Sequence, residues 1–285
     1  MTDVSQEITV VIPTLNRPTL ERAVTSVVTQ TNPPVEVILV SNGADPIDSD
    51  RLSSLLELAG PVPLKVLTLP PFSGPSISRN VGAWQATGAY VAFLDDDDAF
   101  TAHYLETMRE RITRDGTEIL YGAKVWRNVD GSIRREKRIH SVPSDRWLDV
   151  LYRHENPGFG GQNLVVRKSV FVDLHGFPVE LLSGEDRAFA MAALVADVSV
   201  ACVDEAEVTC YDPDGYRAKM RSDKWVTNLK LIWQFWGDVS WRSRLRSVWR
   251  WLRSMVGRRG PIRGRRGVGR GVGARDAPMG MPVDR

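Results

Sequence analysis

The first third of the chain repeats one pattern, in which a continuous apolar run ends at polar or turn-forming residues and a helical pattern follows. The runs occupy residues 7–13, 35–40, 64–69 and 89–94, and the helical patterns begin near Thr19 and cover residues 52–58 and 77–86. Strands that are apolar throughout, rather than alternately, belong to parallel sheets with helices on both faces. The pattern therefore predicts an α/β fold with a doubly wound, mainly parallel sheet.

The second half of the chain is less regular but carries further signals of secondary structure. Residues 119–126, 163–166 and 199–203 are predicted strands, and Ser183 and Gly184 precede a helix that we expect to end near Ala196. Another helix is expected to begin near Thr101. No Pro- or Ser-rich linker separates the two halves of the sequence, so we expect them to share one core.

The composition excludes several classes of protein. Hydrophobic residues make up 42% and charged residues 25% of the 285 residues, which excludes collagen, disulfide-framework miniproteins and full-length disorder. Cys202 and Cys210 are the two cysteines, too few for a disulfide framework and suited to a reducing compartment. The opening MTDVSQE lacks the features of a secretory signal, and no apolar run reaches the roughly eighteen residues of a spanning helix. A cytoplasmic location is the expectation.

The charge is unevenly distributed along the chain. From Trp241 onward there are thirteen Arg and two Asp, a net charge of +11, whereas the preceding 240 residues carry −9. This region begins with a predicted basic amphipathic helix, which fits either an anionic membrane surface, at the inner face of the cell membrane, or a packing site on the rest of the protein. Its apolar face comprises Trp241, Leu245, Val248, Trp249, Leu252 and Val256, and its arginine face comprises Arg242, Arg246, Arg250 and Arg253.

The Gly/Arg-rich segment at residues 257–285 has too few apolar residues to form a core and is predicted to be disordered. Because no aromatic-interleaved RNA motif or DNA-reading element accompanies its arginines, the sequence disfavours nucleic acid as a partner.

The fourth apolar run leads directly into Asp95, Asp96, Asp97 and Asp98, which we call the tetra-aspartate segment. Four adjacent carboxylates after a buried strand repel one another unless a cation compensates their charge. A divalent ion held by one or two carboxylates, with phosphates and waters completing its shell, would supply that charge. A solvated acidic turn that caps the next helix is the alternative.

A small-residue helix with an arginine near its start precedes the tetra-aspartate segment. The planar guanidinium of Arg79 can neutralise a phosphate, and Gly82 permits close approach of the backbone. Arg79 could equally be a surface residue paired with a nearby aspartate.

Three motifs taken together, PTLNRP, RNVGAWQATGAYVAFLDDDD and GEDRAF, resemble the family 2 glycosyltransferases of GT-A fold. The resemblance covers roughly residues 7–215 and implies a hexosyltransferase-like enzyme with a D-x-D element that holds Mg²⁺ or Mn²⁺ and a nucleotide-diphospho-sugar. It implies that Asp97 is the principal metal ligand, together with Asp95, which lies nearer the ribose. Asp96, and also Asp98, are alternatives in this register. The nucleotide pocket would be lined by Pro13, Thr14, Arg17, Arg79, Asp95 and Asp96.

The pair Glu185 and Asp186 carries the other part of the implied chemistry. Attack by an alcohol on an anomeric carbon requires a carboxylate within hydrogen-bond reach of the acceptor proton. The resemblance implies that Asp186 is this general base in a single inverting displacement and that Glu185 helps to position the acceptor. Without the resemblance, acids in the first turn of a helix are explained by the helix dipole.

The sequence departs from the family pattern in two places. Ser41 and Asn42 stand where relatives commonly have an acidic pair that reads the base, so UDP, dTDP and other nucleotide sugars all remain open as donors. No histidine follows His175, which removes a metal ligand that some relatives supply from that region.

A glycine-rich segment is the expected acceptor side of the site. Gly160, Gly161 and Gln162 are predicted to lie in a flexible loop beside the acceptor, with Phe159 available to stack on a sugar, although a simple hairpin connection is equally consistent. The acceptor is expected to be a hydroxyl of a saccharide, a lipid-linked molecule or a small molecule.

The resemblance divides the chain into a catalytic domain at residues 1–222, C-terminal helices at 223–256 and the tail at 257–285. Within the catalytic domain, about 1–115 would bind the nucleotide-sugar and about 116–222 the acceptor. The alternatives are a non-catalytic protein that binds nucleotide-sugars or nucleic acid, and a nucleotidyltransferase, which also places carboxylates at strand ends.

Overall fold

The computed structural model describes residues 6–128, 131–137, 146–153, 158–181, 183–211 and 224–256. Within these residues, nine strands form one sheet. The strands are β1 (Ile8–Thr14), β2 (Glu36–Ser41), β3 (Leu64–Thr68), β4 (Tyr90–Phe93), β5 (Ala99–Phe100), β6 (Ile119–Arg127), β7 (Ile133–Lys137), β8 (Leu164–Arg167) and β9 (Val200–Tyr211). The helices are α1 (Leu20–Val28), α2 (Ser49–Ala59), α3 (Pro75–Gln85), α4 (Tyr104–Asp115), α5 (Trp147–Tyr152), α6 (Lys168–Asp173), α7 (Glu185–Val195), α8 (Lys224–Gln234) and α9 (Trp241–Val256), and a 3₁₀ turn spans Gly161–Asn163.

The order of the strands reverses direction between β1 and β4. The order is β3-β2-β1-β4-β8-β6-β9-β5, with β7 paired to β6 beside this path. Strands β1 to β4 are parallel, β8 runs antiparallel between β4 and β6, and β9 is parallel to β6. The chain adds β2 and β3 on one side of β1 and then returns to place β4 on the other side. The carboxyl ends of β1 and β4 therefore flank the reversal of strand order, where open α/β sheets bind ligands.

Helices cover both faces of this sheet because successive residues of its central strands point to opposite sides. In β1, Val10 and Ile12 join an apolar cluster with α1, α2 and α4, whereas Val11 joins a second cluster with α3, α5, α6 and α7. Side chains from α8 and α9 also pack on the second cluster. The predicted α/β fold with a mainly parallel, doubly wound sheet is confirmed. One sheet runs through both halves of the chain, and the division into donor and acceptor halves stays a prediction.

The predicted strands are present, and the differences from prediction begin at β5 and α4. Helix α4 begins at Tyr104 rather than near Thr101, because Ala99 and Phe100 form β5 and the Thr101 amide donates to the Glu207 carbonyl oxygen at 3.1 Å. The strand predicted at residues 199–203 continues as β9 to Tyr211, since pairing with β6 and β5 keeps its polar second part extended. The short elements β5, β7, α5 and α6 have no counterpart in the sequence analysis.

Two predictions fall outside the described residues, namely the disordered tail at 257–285 and the domain boundary at residue 222. Helix α9 is present, although its side chains at residue 250 and at 253–256 are not described. Among the described helices, none combines the length and the apolar character required to cross a lipid bilayer.

The second cluster contains an aromatic group that links the sheet to α6 and α7. The Phe171 ring is fully buried, with its centroid 5.4 Å from Phe93, 5.4 Å from Phe177 and 5.2 Å from Phe189. We expect Phe171→Ala to lower the free energy of unfolding by about 3–5 kcal/mol, through lost burial and a residual cavity. Urea denaturation checks this, with Phe72→Ala as control because Phe72 is 76% exposed. Equal losses in the two variants would contradict this role of the cluster.

Candidate active site

The carboxyl ends of β1 and β4 are joined by a buried carboxylate. The Asp96 side chain accepts hydrogen bonds from Thr14 Oγ1 at 2.7 Å, from the Leu15 amide at 3.1 Å and from Arg17 Nη1 at 3.0 Å. Burial raises the pKa of Asp96 although these donors act in the opposite direction. Asp96 therefore faces the turn after β1, and it fixes that turn to the start of the tetra-aspartate segment.

The other three aspartates form a cluster. One carboxylate oxygen each from Asp95, Asp97 and Asp98 can be chosen so that all lie within 4.8 Å of one another. Asp98 is buried and accepts a hydrogen bond from the Tyr211 amide at 3.2 Å, which orients it from β9. Grouped carboxylate oxygens are the donor set that hard divalent cations such as Mg²⁺ and Mn²⁺ prefer, so the residues fit such an ion. Sequence reasoning had named Asp98 as an alternative ligand, and the geometry groups it with Asp95 and Asp97.

Arg79 connects this cluster to the start of α7. Its guanidinium is buried, with Nη2 2.5 Å from Asp95 Oδ1 and Nη1 3.4 Å from Glu185 Oε1. Although burial disfavours its charged form, the carboxylates of Asp95 and Glu185 raise the pKa of Arg79. A Cβ atom at Gly161 would lie 2.7 Å from Arg79 Cζ, so the glycine allows the turn to pack directly on the guanidinium. Arg79 thus joins segments that the sequence analysis had assigned to opposite halves.

Glu185 and Asp186 form the first turn of α7, which follows Gly184 at φ 81°. Burial, followed by the neighbouring Asp186 carboxylate, raises the pKa of Glu185, and these effects outweigh the opposing charge of Arg79. Asp186 Oδ1 accepts a hydrogen bond from the Arg187 amide at 2.7 Å. The two carboxylates therefore lie at the opposite end of Arg79 from the acidic cluster, one of them in surroundings that favour its protonated form.

The predicted acceptor segment lies in the same region but is not an exposed loop. Gly161 and Gln162 belong to the buried 3₁₀ turn, and the Gln162 amide donates to Cys210 Sγ at 3.9 Å. A Cβ atom at Gly160 would clash with Lys124 Nζ. The expectation that Phe159 is available to stack on a sugar is wrong, because its buried ring lies 4.0 Å from the Tyr121 ring and 4.9 Å from the Trp147 ring.

Ser41 and Asn42, the residues at the end of β2, are both buried. The side-chain amide of Asn42 is oriented so that both its nitrogen and its oxygen have hydrogen-bond partners. The nitrogen donates to the Thr14 carbonyl oxygen, and the oxygen accepts from the Gly74 amide and from Ser78 Oγ, each at 3.1 Å. Asn42 thus attaches the start of α3 to β1. The buried Ser41 hydroxyl has no hydrogen-bond partner among the described residues. Pro13 lies within β1, one residue before its end, rather than in the turn that follows.

Two residues of the site were missed by the sequence analysis. Arg22 Nη2 donates to the Asp97 carbonyl oxygen at 2.6 Å, and its guanidinium carbon lies 3.7 Å from the centroid of the Tyr211 ring. A cation in the first turn of a helix opposes the helix dipole, and this unfavourable position of Arg22 was the available signal. Tyr121 lies on β6 with its hydroxyl buried, and burial followed by the Asp186 charge raises the pKa of Tyr121. Because Tyr121 lies in an apolar strand, the sequence does not indicate that it belongs to the site.

Comparison with known proteins identifies similar chains. A model of the family described as "Glycosyl transferase family 2" matches residues 9–174. The pre-mycofactocin glycosyltransferase of Mycobacterium tuberculosis is 30% identical over 187 residues, covering 64% of this chain and 37% of that protein. The glycosyltransferase AglE of Haloferax volcanii is 27% identical over 203 residues, covering 70% of this chain and 65% of that protein. This chain therefore spans well under half the length of the mycobacterial relative.

The crystal structure of S. aureus TarS 1–349 in complex with UDP-GlcNAc superposes with a TM-score of 0.65 at 21% identity, covering 86% of this chain and 71% of that chain. A second TarS structure gives a TM-score of 0.65 at 19% identity over 86% of this chain and 43% of that chain. The likeness confirms the GT-A fold that the three sequence motifs predicted.

The raised pKa of Glu185 predicts how the stability of the site depends on pH. Since its pKa is higher in the folded chain than the ordinary value of 4.5, its stabilising contribution is complete below 4.5 and is lost as the pH rises through the folded value. Glu185→Gln removes this dependence, so the variant should gain stability relative to the native chain as the pH rises above 4.5. Urea denaturation in metal-free buffer across this pH range measures the difference. A constant or opposite difference would contradict the pKa direction.

Proposed function

The chain belongs to glycosyl transferase family 2, and on that premise we propose that it transfers a sugar from a nucleotide-diphospho-sugar to an acceptor hydroxyl with inversion at the anomeric carbon. The observation that carries the proposal is the contact of Arg79 with Asp95 on one side and Glu185 on the other. It brings an acidic cluster suited to a metal-bound diphosphate and a carboxylate pair suited to an acceptor into one cleft.

The donor would bind at the ends of β1 and β4. Asp95, Asp97 and Asp98 would hold Mg²⁺ or Mn²⁺, which when bound compensates the negative charge of the diphosphate leaving group. The guanidiniums of Arg17 and Arg79 add positive charge and planar donors for phosphate oxygens at the same edge. The residues of this chain thus supply both the anionic ligands for a cation and the cationic groups for the phosphates.

The base of the donor would lie toward β2, next to Ser41 and Asn42. Both residues are buried at the end of this strand, and the Ser41 hydroxyl is available for a ligand hydrogen bond. TarS has been crystallised with UDP-GlcNAc and with UDP, which makes a UDP sugar the first donor to test, with dTDP sugars as the second choice.

The acceptor hydroxyl would be activated at the start of α7. Asp186 takes the proton as the acceptor oxygen forms its bond to the anomeric carbon and the bond from that carbon to the diphosphate oxygen breaks. The bonding electrons leave with the nucleoside diphosphate, next to the positive charge of Arg79. Glu185, held by Arg79, positions the acceptor, and the turn at Gly161 bounds the same space.

Donor binding should depend on both metal and Asp97. The melting temperature should rise when UDP-GlcNAc and Mn²⁺ are added together, because a ligand that binds the folded state stabilises it. Asp97→Asn should abolish this rise, whereas Asp173→Asn, a change at an exposed aspartate of α6, should retain it. A rise that is equal without Mn²⁺ would refute the metal assignment, and no rise with any UDP or dTDP sugar would refute the donor site.

Catalysis should depend on Asp186. We expect Asp186→Asn to lower kcat by about 100-fold or more through loss of the general base, with donor affinity unchanged. Release of nucleoside diphosphate measures turnover, and it separates this reaction from nucleotidyl transfer, which releases pyrophosphate. The control is Asp197→Asn at an exposed position two residues after α7, where asparagine accepts the observed φ of 58°. Retention of full turnover in Asp186→Asn would exclude it as the base.

A further inference from the structure

Helix α9 is attached to the rest of the protein by its small residues. Ser243 and Ser247, four positions apart, are buried, and Ser247 Oγ donates to the Tyr152 carbonyl oxygen at 3.2 Å. Val248 and Trp251 pack beside them on the second cluster. The sequence analysis had left open whether this helix packs on the protein, and the structure shows that it does, through this serine-bearing face.

The large apolar residues of α9 point the other way. Trp241 is 64% exposed, Leu245 62%, Trp249 56% and Leu252 48%. Their spacing of four, four and three residues places them on one line along the helix, which we call the outward stripe. Because the helix is already attached by another face, packing among the described residues does not account for the outward stripe. A contiguous exposed apolar surface of this kind marks an interaction site.

Positive charge borders the outward stripe on one side. Arg242 and Arg246 are both exposed and lie beside Trp249 on the circumference of the helix. The Arg242 guanidinium carbon lies 5.5 Å from the centroid of the Trp241 ring. The α9 sequence contains five Arg and no acidic residue, and residues 257–285 add eight Arg and two Asp. The occupant of this surface must therefore combine an apolar layer with negative charge.

We propose that the outward stripe of α9 inserts into the interfacial layer of an anionic lipid bilayer, with the arginines at the headgroups. Tryptophan and leucine suit the boundary between headgroups and acyl chains, and arginine attracts anionic lipid. A second copy of the chain fits this surface less well, since a symmetric contact would oppose two arginine-rich helices. Nucleic acid would leave the tryptophan and leucine side chains in water. The proposal is independent of the proposed sugar transfer.

The test uses the full chain with vesicles of phosphatidylglycerol and phosphatidylcholine, compared with phosphatidylcholine alone, in a flotation assay. The double variant Leu245→Ser and Trp249→Ser removes half of the outward stripe. A second double variant, Arg242→Gln and Arg246→Gln, removes only charge. Trp84→Ser is the matched control, because Trp84 is 50% exposed on α3, outside this surface. Melting temperatures confirm that each variant is folded.

The native chain and Trp84→Ser should float with anionic vesicles and should be released by high salt, which screens the arginine contribution. Each double variant should bind anionic vesicles at least about tenfold more weakly. The first variant loses apolar burial in the bilayer, and the second loses attraction to anionic lipid. Failure of the native chain to float would overturn the proposal, as would undiminished flotation of the stripe variant. If the native chain is a dimer and the stripe variant is a monomer, the outward stripe is a contact between two copies of the chain. That result would also overturn the membrane proposal.

Discussion

The candidate site depends on the compensation of one buried positive charge. A guanidinium removed from water is strongly destabilising unless carboxylates and hydrogen bonds replace its hydration. Arg79 meets this requirement with Asp95, at the end of the central sheet, and with Glu185, at the start of α7. Gly161 completes the enclosure because its missing side chain lets the backbone lie against the guanidinium plane. The carboxyl end of β4 and the start of α7 are held together by this charge.

The same constraint explains how four adjacent aspartates are accommodated. Their side chains point in different directions. Asp96 turns toward β1 and is held by Thr14 and Arg17, while oxygens of the other three gather in one cluster. The positive charges of Arg17, near Asp96 and Asp97, and of Arg79, near Asp95, reduce the mutual repulsion of these aspartates. The acidic cluster is therefore a consequence of the fold at the strand reversal and not of local sequence alone.

Helix α9 exposes more of its large apolar residues than it packs on the rest of the protein. Its small serines are inside, and its tryptophan and leucine residues along the outward stripe are outside. A helix selected only for packing on its own domain would bury the larger side chains, because apolar burial is what stabilises such contacts. Its arrangement suits a chain that uses one helix face for attachment and reserves the other for a second surface.

The sequence alone determined the parallel sheet, its helices on both faces and the carboxylates at the carboxyl end of β4, because strand and helix periodicity are local properties of the chain. It also located Arg79 and the Glu185 and Asp186 pair. Only the tertiary structure decided that Arg79 meets a carboxylate 106 residues away, that Asp96 turns from the cleft, and that Phe159 is buried between two aromatic rings. These outcomes depend on partners brought together by long-range strand pairing, and no local pattern of residues specifies the direction of a side chain at the end of a strand.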